Sequence, residues 1–141
     1  MTQTEIERAL PHRPPMLLVD EIVSKDERSI VCRKTFRADE FFVQGHYPGF
    51  PIVPGVILCE CAVQSGAILL ADKKKQGAGV PVLTRMSDVR FKRMVKPGDT
   101  IETTAKIDEV LSEAYFLSAT VRVAGQIAAR LSFACTITNE T

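Results

Sequence analysis

The chain has 141 residues, 45% hydrophobic and 25% charged, with a formal net charge of +1 at pH 7. That length suits a single domain able to bury roughly 68% of the surface its unfolded chain exposes, and so small a charge gives no field to attract nucleic acid or an anionic membrane. No apolar run approaches the ~20 residues of a spanning helix, and Met1-Thr2-Gln3-Thr4-Glu5-Ile6-Glu7 lacks the basic and apolar segments of a secretory leader, so a cytoplasmic protein is expected.

In chain order, residues 16–23 and 29–36 are predicted as a strand pair joined by Ser24-Lys25-Asp26-Glu27-Arg28. One long helix is predicted from residue 55 to about 73, rich in Val, Ile, Leu and Ala and preceded by the helix breakers Pro51 and Pro54. Lys73-Lys74-Lys75 places positive charge at the negative end of its dipole, and Gly77 serves as a stop. A helix apolar nearly all round should be buried. Residues 82–94 form a further strand candidate, and residues 101–110 another, entered through the turn cluster Lys96-Pro97-Gly98-Asp99.

The last two strands have the clearest pattern. Tyr115, Leu117, Ala119, Val121 and Val123 alternate with Phe116, Ser118, Thr120 and Arg122. After a short turn at Ala124-Gly125-Gln126, Ile127, Ala129, Leu131, Phe133, Cys135 and Ile137 repeat the period of two. The expected fold class is α+β, an antiparallel sheet wrapped around one long central helix. Edge strands of such a sheet could pair with a second copy.

Cys32, Cys59, Cys61 and Cys135 show no CxxC spacing and no neighbouring His pair, which argues against a zinc site. Cys59 and Cys61 point to different helix faces and cannot readily bridge each other. Four buried, reduced thiols are expected.

The chemistry concentrates between Gly45 and Gln64. Gly45-His46-Tyr47-Pro48-Gly49-Phe50-Pro51-Ile52-Val53-Pro54-Gly55 is a Gly/Pro loop with restricted backbone, carrying one of two histidines. Glu60 and Gln64 stand four apart on one face of the helix that follows. A carboxylate in such a helix needs partners; a place at a subunit seam or a purely hydrogen-bonded role explains it as well as catalysis does. His46, on a loop whose path is fixed, favours an acid/base pair. Gly55 opens the helix with free N–H groups at the positive end of its dipole, an arrangement suited to an enolate oxygen. Base, acid and anion hole together point to proton abstraction next to a carbonyl, coupled to loss or gain of a β-group. His12 has no acidic neighbour in sequence and is assigned a structural role.

This segment resembles the active-site signature of the 3-hydroxyacyl-[acyl-carrier-protein] dehydratases of fatty acid synthesis. Leu10-Pro11-His12-Arg13-Pro14-Pro15-Met16-Leu17-Leu18-Val19-Asp20 is similar to the family's N-terminal motif, and Val89-Arg90-Phe91-Lys92-Arg93 with Val95-Lys96-Pro97-Gly98-Asp99 to a later one. The resemblance spans roughly residues 9 to 139. It implies the hotdog fold and a homodimer, often built into hexamers, in which His46 of one chain faces Glu60 of the other. It further implies that His46 is the base, that Glu60 assists departure of the β-hydroxyl, that the Gly55 amide polarises the thioester carbonyl and that Gln64 orients Glu60. No metal or other cofactor is implied. The substrate implied is a (3R)-3-hydroxyacyl thioester on the phosphopantetheine arm of an acidic acyl carrier protein, with Arg85, Arg90, Lys92, Arg93 and Lys96 as candidate docking charges. The chain departs from the family's commoner residues at Pro15, Tyr47, Cys59 and Cys61. A thioesterase of the same fold, a coenzyme A thioester hydratase and a non-catalytic thioester-binding module are the alternatives.

Overall fold

The computed structural model describes residues 3–73 and 79–138. A short helix, α1 (Gln3–Ala9), precedes the strands β1 (Glu21–Lys25) and β2 (Ser29–Thr35). The long helix α2 (Gly55–Ala71) follows, then β3 (Val80–Phe91), β4 (Thr100–Leu111), β5 (Ala114–Val123) and β6 (Gln126–Thr138). The strands form one antiparallel sheet in the order β1-β2-β4-β5-β6-β3. Helix α2 lies against β2, β3, β4, β5 and β6, so the sheet curls around it. This is the α+β hotdog arrangement expected from the sequence.

The sheet's two faces follow from alternation. Ile101, Thr103, Ala105 and Ile107 of β4 and Leu117, Ala119, Val121 and Val123 of β5 are buried against α2, with Glu102, Lys106, Ser118 and Arg122 on the outer face. Ala124 and Gly125 both have positive φ, 51° and 78°, the geometry of a two-residue turn whose twist matches its flanking strands. From the helix, Ile68, Leu69 and Leu70 complete the core at 0–1% exposure. Among the described residues no helix is long and apolar enough to cross a membrane.

Three elements differ from expectation. Strand β1 begins at Glu21, five residues late, because a side chain of α2 satisfies the preceding backbone. Gln64 Oε1 accepts from Leu18 N at 2.8 Å, and its Nε2 donates to Met16 O at 2.7 Å. Helix α1 is too short to show a period, and it buries only Ile6 along its length. Helix α2 stops at Ala71 with Asp72 as its C-cap, and Lys25 Nζ reaches Asp72 Oδ2 at 2.8 Å, tying that end to β1. Lys73 thus lies past the last turn, while Lys74, Lys75 and Gly77 lie outside the described residues.

At one sheet edge, β3 begins at Val80 and leaves its ladder after Phe91, where the Lys92 and Arg93 amides both turn to Ala128 O. Val82, Leu83 and Met86 on this edge are exposed.

Candidate active site

Both ends of the loop between β2 and α2 are fastened to one short segment. Phe36 N donates to Asp99 O at 3.0 Å, Gly98 N returns a bond to Phe36 O at 2.8 Å, and Val53 N donates to Val95 O at 2.7 Å. Gly98 has φ 97°, which only glycine adopts easily. The Lys-Pro-Gly-Asp turn therefore sets where the loop starts and where it meets the helix. Near the start, buried Lys34 pairs with Glu40 at 3.1 Å, and Glu40 also accepts from Arg37 N at 3.1 Å.

Within this frame the chain reverses around His46. Gly45 (φ 81°) and Tyr47 (φ 51°) flank it with left-handed backbone, and His46 N donates to Val43 O at 3.1 Å. A bulky residue at positive φ is uncommon and stores strain, the kind that persists where surrounding structure fixes it. The Tyr47 ring lies edge-on to the imidazole, centroids 4.7 Å apart. Nδ1 of His46 is 3.1 Å from Ile52 O. A carbonyl oxygen only accepts, so Nδ1 carries a hydrogen, and in the neutral ring Nε2 then presents a lone pair.

Helix α2 opens at Gly55 behind Pro54, which provides no side-chain cap. The first-turn amides are therefore not satisfied by a side chain. The Phe91 ring lies 2.9 Å from the position a Cβ on Gly55 would take, so this junction needs glycine for space. Beside it runs an open groove of about 760 Å³, walled by Ile52, Val53, Val56, Leu58, Phe91, Met94 and Val95 and flanked by Lys92 and Arg93. The wall is largely apolar, and the helix N-terminus at Gly55 is part of it.

The carboxylate sits further along α2. The Glu60 side chain is 31% exposed, and Gln64 Nε2 donates to its Oε2 at 2.9 Å. Gln64 itself is 1% exposed and has every polar atom engaged, with Glu60, Met16 and Leu18. Burial raises the thiols of the flanking Cys59 and Cys61, which keeps both neutral. Among the described residues no group of His, Cys, Asp and Glu is placed to hold a metal ion.

His12 meets in the fold an acidic side chain that its sequence neighbourhood does not offer. Its Nε2 lies 3.7 Å from Glu60 Oε2. The acidic partner absent from its sequence neighbourhood is supplied by the fold, through the bonds that Gln64 makes to Met16 and Leu18. The signal that could have found it was the built character of Leu10-Pro11-His12-Arg13. The Arg13 guanidinium donates to Leu10 O, His12 O and Glu7 O at 2.7–3.1 Å and locks that turn.

One chain thus gathers the expected residues into two clusters. Ile52 and Gly55 line the groove, and His46 is held to the carbonyl of Ile52; Glu60, Gln64 and His12 form a second group. Among the described residues Glu60 pairs with His12 and not with His46. The five candidate docking charges also divide. Lys92 and Arg93 line the groove, and Lys96 Nζ sits 5.4 Å over the Phe50 ring. Arg90 instead faces Arg130 across the ladder on the outer sheet face, where Arg85 stands opposite Ala134.

Residues 22–132 match the ApeI-like family of ApeI dehydratases. The 3-hydroxyacyl-[acyl-carrier-protein] dehydratase FabZ of Clostridium perfringens is 39% identical over 128 residues, covering 91% of this chain and 92% of its own. That of Oenococcus oeni is 41% identical over 112 residues, 78% of this chain and 80% of its own. Among solved structures, the dehydratase heterocomplex ApeI:P from Xenorhabdus doucetiae superimposes with a TM-score of 0.83 at 16% identity, over 96% of this chain and 91% of that one. At that identity the likeness bears on the fold alone.

Proposed function

The chain belongs to the family of ApeI-like and FabZ 3-hydroxyacyl-[acyl-carrier-protein] dehydratases, and on that premise we propose that it converts (3R)-3-hydroxyacyl thioesters carried on acyl carrier protein to trans-2-enoyl thioesters in fatty acid synthesis. The observation that carries the site assignment is the hydrogen bond between His46 Nδ1 and Ile52 O, 3.1 Å long. It frees Nε2 to act as a base on a fixed loop next to the groove.

In this reading the acyl thioester lies in the groove with its carbonyl oxygen at the Gly55 amide. His46 Nε2 takes the proton from C2, and the electrons move into the carbonyl, whose developing charge the helix N-terminus stabilises. Glu60, entering as the protonated acid, gives its proton to the 3-hydroxyl as the C3–O bond breaks, so that water leaves and a C2–C3 double bond forms. The proton held by His46 then passes to the Glu60 carboxylate and resets the site. Gln64 holds Glu60 in line.

We place His46 and Glu60 of one site on two different subunits. Support comes from the pairing of Glu60 with His12 inside the chain and from the exposed apolar residues along the β3 edge, which a second copy would cover. Lys92 and Arg93 beside the groove, with Lys96, supply positive charge suited to the phosphopantetheine arm of an acidic carrier. Four free cysteines, all buried, suit a reducing cytoplasm.

The test is hydration of crotonyl thioester, on acyl carrier protein and on coenzyme A, followed by loss of enoyl absorbance. Wild type should turn over faster on the carrier protein, and His46→Ala and Glu60→Gln should each lose about 10²–10⁴-fold. Release of free thiol instead would identify a thioesterase; binding without turnover would identify a thioester-binding module.

A further inference from the structure

The Glu60 carboxyl has two oxygens, and among the described residues its polar contacts converge on one of them. Gln64 Nε2 donates to Oε2 at 2.9 Å, and His12 Nε2 stands 3.7 Å from the same atom. Among the described residues nothing engages Oε1. We propose that His12 is a positioning residue for Glu60: with Gln64 it pins Oε2, so that the acidic hydrogen rides on Oε1 and is aimed at the substrate's leaving hydroxyl. The inference rests on the acid role assigned to Glu60 above.

A hydrogen on Oε2 would collide with the Gln64 donor, so the protonated acid carries it on Oε1. Once that proton has left, the carboxylate's charge strengthens the bonds to Oε2. The contacts are therefore stronger late in the reaction than in the ground state, which is the condition for lowering a barrier.

His12 suits this task by its own surroundings. Its Nδ1 is buried without a hydrogen-bond partner. With the hydrogen on Nε2, the ring offers Glu60 a donor and leaves only an unmet acceptor behind. The other tautomer would bury an unmet N–H and turn a lone pair toward the carboxylate. At 3.7 Å the contact is longer than a hydrogen bond, and a small side-chain rotation closes it, as acid/base contacts in unliganded enzymes tighten once substrate binds.

The placement is enforced from both sides. Arg13 locks the turn that carries His12 by donating to Leu10 O, His12 O and Glu7 O. Gln64 holds the following residues through Met16 O and Leu18 N while it holds Glu60. One amide thus joins the segment bearing His12 to the helix bearing Glu60.

The experiment compares His12→Ala and His12→Gln, each alone and combined with Glu60→Gln, by crotonyl-thioester hydration and thermal melting. Glutamine keeps a donor near the Nε2 position. His12→Ala should lower kcat about ten- to hundredfold, the effect of one hydrogen bond to a charged group, with KM and melting temperature little changed. His12→Gln should recover most of that loss, and neither change should lower the residual rate of Glu60→Gln further. Full kcat in His12→Ala, or equal losses in both variants with a lowered melting temperature, overturns the positioning role. If Glu60→Gln itself retains full activity, the acid assignment fails first and this inference falls with it.

Discussion

The ring of Phe91 occupies the space a side chain at residue 55 would need, with ring carbons 2.9 Å from the would-be Cβ of Gly55. The proposed anion hole is thus sterically coupled to the groove wall. In Gly55→Ala the added methyl must push a half-exposed ring toward the groove. Alanine also reduces the freedom of the unfolded chain, worth roughly 0.4–1 kcal/mol where the backbone accepts it, which offsets part of the crowding. The expected outcome is a melting temperature within a few degrees of wild type and a kcat/KM lower by at least about tenfold. Steady-state kinetics beside a thermal melt separates the two effects; unchanged kcat/KM would remove Gly55 from the site.

Gln64 has a structural and a chemical duty at once. Replacing it by methionine keeps the volume but strands the buried Leu18 N–H and deprives the part-buried Met16 O of its partner, where each had a bond of 2.7–2.8 Å. The cost should be roughly 2–4 kcal/mol of folding stability, read by urea denaturation. Turnover should also drop at a temperature where the variant remains folded, because Glu60 loses its 2.9 Å donor. Stability lost with kcat intact would confine Gln64 to the fold.

What the sequence could reveal depended on whether a feature was local. The β5–β6 hairpin was legible because one face of each strand is buried and the turn residues sit between matched alternations. The His46 loop was legible because glycine and proline crowd it. Residues 16–20 misled because Leu17, Leu18 and Val19 are buried as strand residues would be, yet their backbone is served partly by a side chain 46–48 positions away. The same long-range bonds carry His12 to Glu60, and no spacing rule encodes that meeting. The two-sided split of Arg85 and Arg90 from Lys92, Arg93 and Lys96 was equally hidden, because it depends on where β3 leaves its ladder.

Burial of the thiols makes stability fall in alkali. Desolvation pushes Cys32 and Cys135 up to about 11 from 9.0, and raises Cys61 as well. Above pH 9 the unfolded chain loses these protons while the folded one keeps them, so the unfolded state binds fewer protons and unfolding becomes easier as pH rises. For Cys32 and Cys135 the contribution is complete below pH 9 and is lost between about 9 and 11, at up to ~1.4 kcal/mol per pH unit for each group. Urea midpoints should therefore decline over that window, and less steeply in Cys135→Ala than in wild type. Equal slopes would mean that Cys135 ionises alike in both states.

A site shared between subunits makes a prediction that a site within one chain cannot. His46→Ala and Glu60→Gln homodimers each lack one half of both sites. In a mixed dimer, one site combines the two defects, while the other pairs an intact His46 with an intact Glu60. Unfolding the two inactive variants together and refolding them at equal concentration should give half mixed dimers, each with one working site, and so about a quarter of wild-type activity. Were both residues of a site supplied by the same chain, every chain in the mixture would still carry a defect and the activity would stay at the level of the parents. The assay on refolded mixtures, with dimer formation followed by sizing, decides between the two arrangements.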